Sequence, residues 1–114
     1  MIVRNEQMAA FSRSIGIAYE DSLVAHIREF FAERFRAAGE TEIREMIRHG
    51  IRKSGIYGIV TELDVCKYVD LVIVFGRDFD HEHVWARDIL IDEELDPADR
   101  MDDVYEAAKS FEES

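Results

Sequence analysis

Apolar positions recur at spacings of three and four along most of the chain, the pattern of helices that each bury one face. Over residues 4–37 the recurring set is Phe11, Ile15, Ala18, Tyr19, Leu23, Ile27, Phe30 and Phe31. Asn5 is a candidate cap for its start. A single helix of ~33 residues would be about 50 Å long, more than a small domain spans, so Gly16 and Ile17 are the expected kink or break. Gly39 supplies a left-handed stop.

Residues 40–57 repeat the pattern with Ile43, Met46, Ile47, Gly50, Ile51 and Ser54 on the inner stripe. Gly50, Ser54 and Gly55 carry little side chain, so another helix is expected to come close there. Gly58 ends the element. The stretch "TELD" that follows is a capping box, with Thr61 as cap and Asp64 at the third helical position. The third helix then runs to Phe75. From Val69 it is apolar on almost every side, the mark of an inner helix. The same β-branched run would suit a buried strand, but the cap, the length and the lack of a second such run favour helix. A short fourth helix is expected over about 82–91, with Val84, Trp85, Ile89 and Leu90 inward. "DPAD" opens the last, with Asp96 as cap and Pro97 in the first turn. Met101, Val104, Tyr105 and Ala108 give its inner face.

Composition agrees with this pattern. With one Pro and six Gly in 114 residues, and 47% apolar residues, the chain suits helices and can bury a core. The expected fold class is all-α: a compact bundle of about five helices around a central apolar helix (about 62–75), in one domain over 1–114.

Charge adds a second theme. The net charge is −11. Residues 1–75 carry ten Lys/Arg against eleven Asp/Glu, while residues 76–114 carry four against fourteen. The excess negative charge therefore sits in the last third. Such a surface repels nucleic acid and anionic lipid and favours basic partners. The bland alternative is that it serves solubility alone. With one cysteine, neither an internal disulfide framework nor a Cys-based zinc site is expected. The start of the chain has no apolar h-region, and the longest apolar run is too short to span a bilayer. A cytoplasmic location is expected.

The densest chemistry is "FGRDFDHEHVW", Phe75 to Trp85, with Asp78, Asp80, His81, Glu82 and His83 close together. It does not fit a calcium loop, because the sixth position from Asp78 is His83 and the twelfth is Ile89. His81 and His83 are two apart and diverge on a helix, so the helical zinc spacing is absent. The favoured reading is a helix entry: Asp78 or Asp80 as cap, Glu82 in the first turn, Phe79 and Trp85 as anchors. Cys66 reads as a buried, inert thiol, with no histidine placed near it by the sequence. His26 reads as a hydrogen-bonded histidine on the apolar side of the first helix. Asp70, within an apolar run, needs a partner if buried; Lys67 is the local candidate, Arg48 or Arg52 the tertiary ones. Arg44, Arg48 and Arg52, spaced by four, form a basic ridge that would bind phosphate or pair with the protein's own acidic third.

The segments "VAHIREFFAERFRAAGE", "IRHGIRKSGIYGIVTELDVCKYVDLVIVFGRDFD" and "WARDIL" together cover most of the chain. They resemble a family of small, poorly characterised bacterial proteins, often encoded beside type VI secretion spike or toxin-effector genes. The shared features are the helix ending in "YGI", the acidic capping box, the apolar third helix and the turn with its Trp. The Pro usual before the Trp is missing here. The resemblance implies an accessory role, binding or neutralising a co-encoded effector, and implies no catalytic residues.

The leading expectation is thus a non-enzymatic protein-binding module, an immunity protein or effector adaptor or chaperone. It has no cofactor, no catalytic residue and no metal ligands. Asp92, Glu93, Glu94, Asp99, Asp102, Asp103 and Glu106 would meet a co-encoded protein with a basic surface. Neither nucleic acid nor membrane is expected as a partner. One alternative is a small metal-dependent enzyme using Asp78, Asp80, His81 and His83. Another is a structural homodimer subunit, suggested by Phe30, Phe31 and Phe35 on more than one side of the first helix.

Overall fold

A computed structural model describes the backbone over residues 5–113 and the side chains over 18–112. Among the described residues the fold is all-α, with seven helices and no strand: α1 Asn5–Phe30, α2 Ala32–Ala38, α3 Glu40–Ile56, α4 Glu62–Phe75, α5 Phe79–Glu82, α6 Val84–Leu90 and α7 Pro97–Glu113. Two helices exceed the expected five. The long first element divides, and Phe79–Glu82 forms a helical turn of its own.

The division does not fall at Gly16. The α1 backbone runs through that residue and stops at Phe30. Phe31 leaves the helical region at φ −131° and ψ 49°. Glycine permits a break without requiring one; what turns the chain here is burial. The turn brings Phe31 and Phe35 against the core, while Phe30 stays 65% exposed. Leu23, Val24 and Ile27 form the buried face of α1. Phe11, Ile15 and the proposed Asn5 cap lie outside the described side chains.

The expected glycine stops at Gly39 and Gly58 hold, and Gly76 ends α4 in the same way. Gly39, Gly58 and Gly76 have φ of 86°, 77° and 103°, and no other described residue has a positive φ. A side chain is strained in that region, so each glycine can end its helix cleanly. The Thr61 cap also holds. Its hydroxyl accepts from the Asp64 amide at 3.4 Å and donates to the Asp64 carboxylate at 2.8 Å.

The core gathers one face from each longer helix. Ile43, Ile47, Gly50 and Ser54 of α3 lie against α4, whose buried set is Val65 and the unbroken run Tyr68–Ile73. From α7 come Met101, Val104 and Ala108; from the α5–α6 corner come Phe79, Ala86 and Leu90. Each fully buried Ile, Leu or Val contributes about 1.5–3 kcal/mol. Val84, expected to face inward, is 59% exposed, and Ala86 takes the inner place instead. The longer, exposed β-branched residue sits at the first position of α6, before the helix has turned onto the core.

Arg100 closes the corner. Its guanidinium donates to the backbone carbonyls of Leu95, Tyr57 and Leu90, each at 3.1 Å. One side chain on α7 thereby reaches the carbonyl that follows α3 and the last carbonyl of α6, while backbone amides serve others near those ends.

Candidate functional site

Two of the three ridge arginines, Arg44 and Arg48, are spent within the protein, while Arg52 makes no ion pair among the described residues and reaches only His49 at 3.4 Å. Arg44 Nη1 lies 2.7 Å from Glu20 and 2.9 Å from Asp21, and its Nε lies 3.2 Å from Glu40. Arg48 Nε lies 2.7 Å from Glu20. The hydrogen bond from Arg48 holds the Glu20 carboxyl below its ordinary range despite its partial burial. Arg44 and Arg48 therefore pair with Glu20, Asp21 and Glu40 and not with the acidic last third, one of the two alternatives the sequence left open. Arg28 pairs with Glu40 and Arg77 with Glu42. These pairs join α1 and the α4–α5 turn to α3.

The seven acidic residues expected to bind a partner divide into two groups. Asp102 is held 2.8 Å from Lys67, Glu106 lies 3.3 Å from Lys109, and Asp92 accepts the Glu94 amide at 3.0 Å. The side chains of Glu93, Glu94, Asp99 and Asp103 are exposed and make no ion pair among the described residues. Of these four, Glu93 lines a shallow groove of about 450 Å³, together with Ile56, Tyr57, Gly58, Leu90, Ile91 and Arg100. Ile56 is 70% exposed and Ile91 62%. Asp103 stands one turn after Arg100 along α7. Exposed Ile56 and Ile91 and the unpaired Glu93 thus line one groove.

The Asp78–His83 stretch does not gather into one site. Neither Asp78 nor Asp80 caps a helix through its side chain. Asp80 is fully buried, and its Oδ2 accepts from Tyr57 at 2.7 Å and lies 2.9 Å from Lys53 Nζ. Burial pushes its carboxyl upward, but the hydrogen bonds from Tyr57 and Lys53, with the charges of Lys53 and His81, outweigh burial and hold it below the usual range. Among the described residues its Oδ1 has no partner, nor does the buried hydroxyl of Tyr68. His81 points to Lys53 at 3.3 Å. His83 goes the other way and stacks on Trp85 with ring centroids 5.1 Å apart, beside Phe75 at 5.5 Å. The helix-entry reading is corrected accordingly: Asp80 is a buried partner of α3, placed inward because Phe79 beside it fills the core.

Asp70 is also partnered differently from expectation. Lys67 turns to Asp102, Arg48 to Glu20, and Asp70 Oδ1 lies 2.9 Å from His26 Nε2 of α1. Cys66 stands one turn before Asp70 on α4. The donor atoms of His26, Cys66 and Asp70 lie within 4.8 Å of one another, the one such convergence of three among the described residues. Burial pushes the Asp70 carboxyl up, against the pull of His26. Burial and Asp70 push the Cys66 thiol up to about 11. Tyr19 closes the near side by donating to the Glu62 carbonyl, and burial raises its phenol. The histidine that the sequence did not place beside Cys66 is therefore His26. The thiol remains protonated at neutral pH, so the group is no activated nucleophile. The only signal in the sequence was the four-residue spacing of Cys66 and Asp70, which puts both on one side of α4.

Among the described residues no helix is long and apolar enough to cross a membrane. Comparison with protein-family models, curated proteins and solved structures gives no match.

Proposed function

We propose that this chain is a non-enzymatic accessory of a bacterial secretion or toxin locus, which binds a co-encoded effector with a basic surface and neutralises or chaperones it in the cytoplasm. One observation carries the reading: the cations of α3 and α4 are largely committed to internal pairs, whereas Glu93, Glu94, Asp99 and Asp103 make no ion pair among the described residues, and Glu93 lines a groove with exposed Ile56 and Ile91. Unpaired carboxylates steer a basic partner and speed its arrival. Exposed Ile56 and Ile91 supply apolar area that can be desolvated at the centre of a contact. The resemblance to proteins encoded beside type VI spike and effector genes points to the same class of partner.

Co-purification of the tagged protein with the product of the neighbouring gene tests this, repeated across ionic strength. Association that weakens as salt rises is expected. No association at any salt concentration overturns the reading.

A further inference from the structure

We propose that His26, Cys66 and Asp70 form a binding site for a single zinc-class divalent metal ion, which clamps α1 to α4. The site shares no residue with the acidic groove, so it stands or falls independently of the partner.

The donor set carries the argument. An imidazole nitrogen, a thiolate sulfur and a carboxylate oxygen are the three ligand types that zinc takes in tetrahedral sites. Calcium and magnesium demand oxygen shells, which one carboxylate cannot supply. The placement also fits. Cys66 and Asp70 are one turn apart on the same side of α4, and His26 reaches them from α1, with the three donor atoms within 4.8 Å.

In the metal-free arrangement a proton bridges His26 Nε2 and Asp70 Oδ1 at 2.9 Å. With metal–nitrogen and metal–oxygen bonds of about 2.0–2.2 Å, tetrahedral donors stand roughly 3.4 Å apart. An ion replacing that proton therefore needs this pair to open by only about half an ångström. Cys66 would give up its proton to the solvent on binding, as coordinating thiols do.

The structural alternative is a plain His–Asp pair. That pair explains two of the three residues and gives no reason for a thiol at the same point. The pair is also poorly supplied for a permanent buried ion pair: among the described residues Asp70 has His26 as its only hydrogen-bond partner, and Lys67 beside it is turned away to Asp102. A metal ion would supply the positive charge the carboxylate lacks. The His26 side chain is 28% exposed, which leaves water access to the fourth coordination position. Phe30 and Phe31 flank the imidazole with centroids at 5.0 and 6.2 Å and limit its rotation.

The test uses the full chain, stripped with chelator and titrated with Zn²⁺ and, separately, Co²⁺. Expected are one equivalent of zinc bound, a rise in Tm that saturates at that equivalent, and a cobalt spectrum with a thiolate-to-metal band. Cys66→Ser removes that band. His26→Gln and Asp70→Asn keep it but weaken zinc binding by at least the roughly 10–100-fold that loss of an outer-shell partner costs. His81→Gln leaves everything unchanged. Should Cys66→Ser fail to fold, the band and affinity in Asp70→Asn decide. A wild-type protein with no thiolate band and no zinc-dependent Tm overturns the proposal. So does binding that survives Cys66→Ser intact or that is lost in His81→Gln.

Discussion

Val69 stands over Gly50 with no space for a methyl group between them. A Cβ at position 50 would lie 2.9 Å from Val69 Cγ2 and 3.4 Å from Val69 Cα. The α3–α4 crossing is set by this approach. Val69 is β-branched in a helix and nearly locked at χ1, so it cannot swing aside. Gly50→Ala should therefore cost about 1–3 kcal/mol in overpacking, only partly offset by the roughly 1 kcal/mol of helix propensity that alanine adds. Gly55 is different: nothing lies within 4 Å of its would-be Cβ. Gly55→Ala should stabilise by up to about 1 kcal/mol. Urea unfolding of both variants gives the two signs side by side.

Asp80 gives the fold an acid-sensitive component. It faces Tyr57 and Lys53 of α3, Tyr68 of α4 and its neighbour His81. Its carboxyl is held below the unfolded value of about 3.9, so the folded state binds fewer protons than the unfolded one. The stabilisation is complete above that value and is lost as pH falls through the lower folded one. Asp80→Asn should lower stability at neutral pH by about 1.5–3 kcal/mol. The gap to wild type should then narrow on acidification below about pH 4. Parallel unfolding curves at several pH values check both statements.

Two tyrosines near this carboxylate should answer oppositely to loss of the hydroxyl. Tyr57 donates to Asp80, whereas the fully buried Tyr68 hydroxyl has no partner among the described residues. An unpaired buried hydroxyl costs about 1–3 kcal/mol. Tyr68→Phe should leave Tm unchanged or raise it, and Tyr57→Phe should lower it. Calorimetry on the two variants separates them.

For the partner, charge and apolar area should divide between the two rate constants. Asp99→Asn with Asp103→Asn should slow association and flatten its salt dependence while dissociation hardly changes. Ile91→Asp, at an exposed position, should speed dissociation by more than about tenfold. Surface-immobilised kinetics with the neighbouring gene product reads both.

What was legible in the sequence is what local spacing encodes. The α3 stripe, the Thr61 cap, the glycine stops and the close approach at Gly50 all follow from residues within one or two turns of each other. Gly55 misled because small size permits close packing without causing it. The pairings that build the candidate sites were hidden for a physical reason. His26 and Asp70 are 44 positions apart, and Tyr57 and Asp80 are 23 apart. Such partners are chosen by how whole helices pack, and no periodic signal records them. The acidic bias was plain from counting, but the groove beside it was not. Ile56 and Ile91 are ordinary helix residues until the Arg100 corner brings them together.

That corner also sets when the molecule can be completed. Tyr57, Leu90 and Leu95 wait on a guanidinium that arrives late in the chain. During synthesis α3 and α6 can form while their exposed carbonyls are satisfied only by water. They become locked into the final arrangement once residue 100 has cleared the ribosome. The carbonyl of residue 57 therefore waits for a side chain that is made 43 residues later.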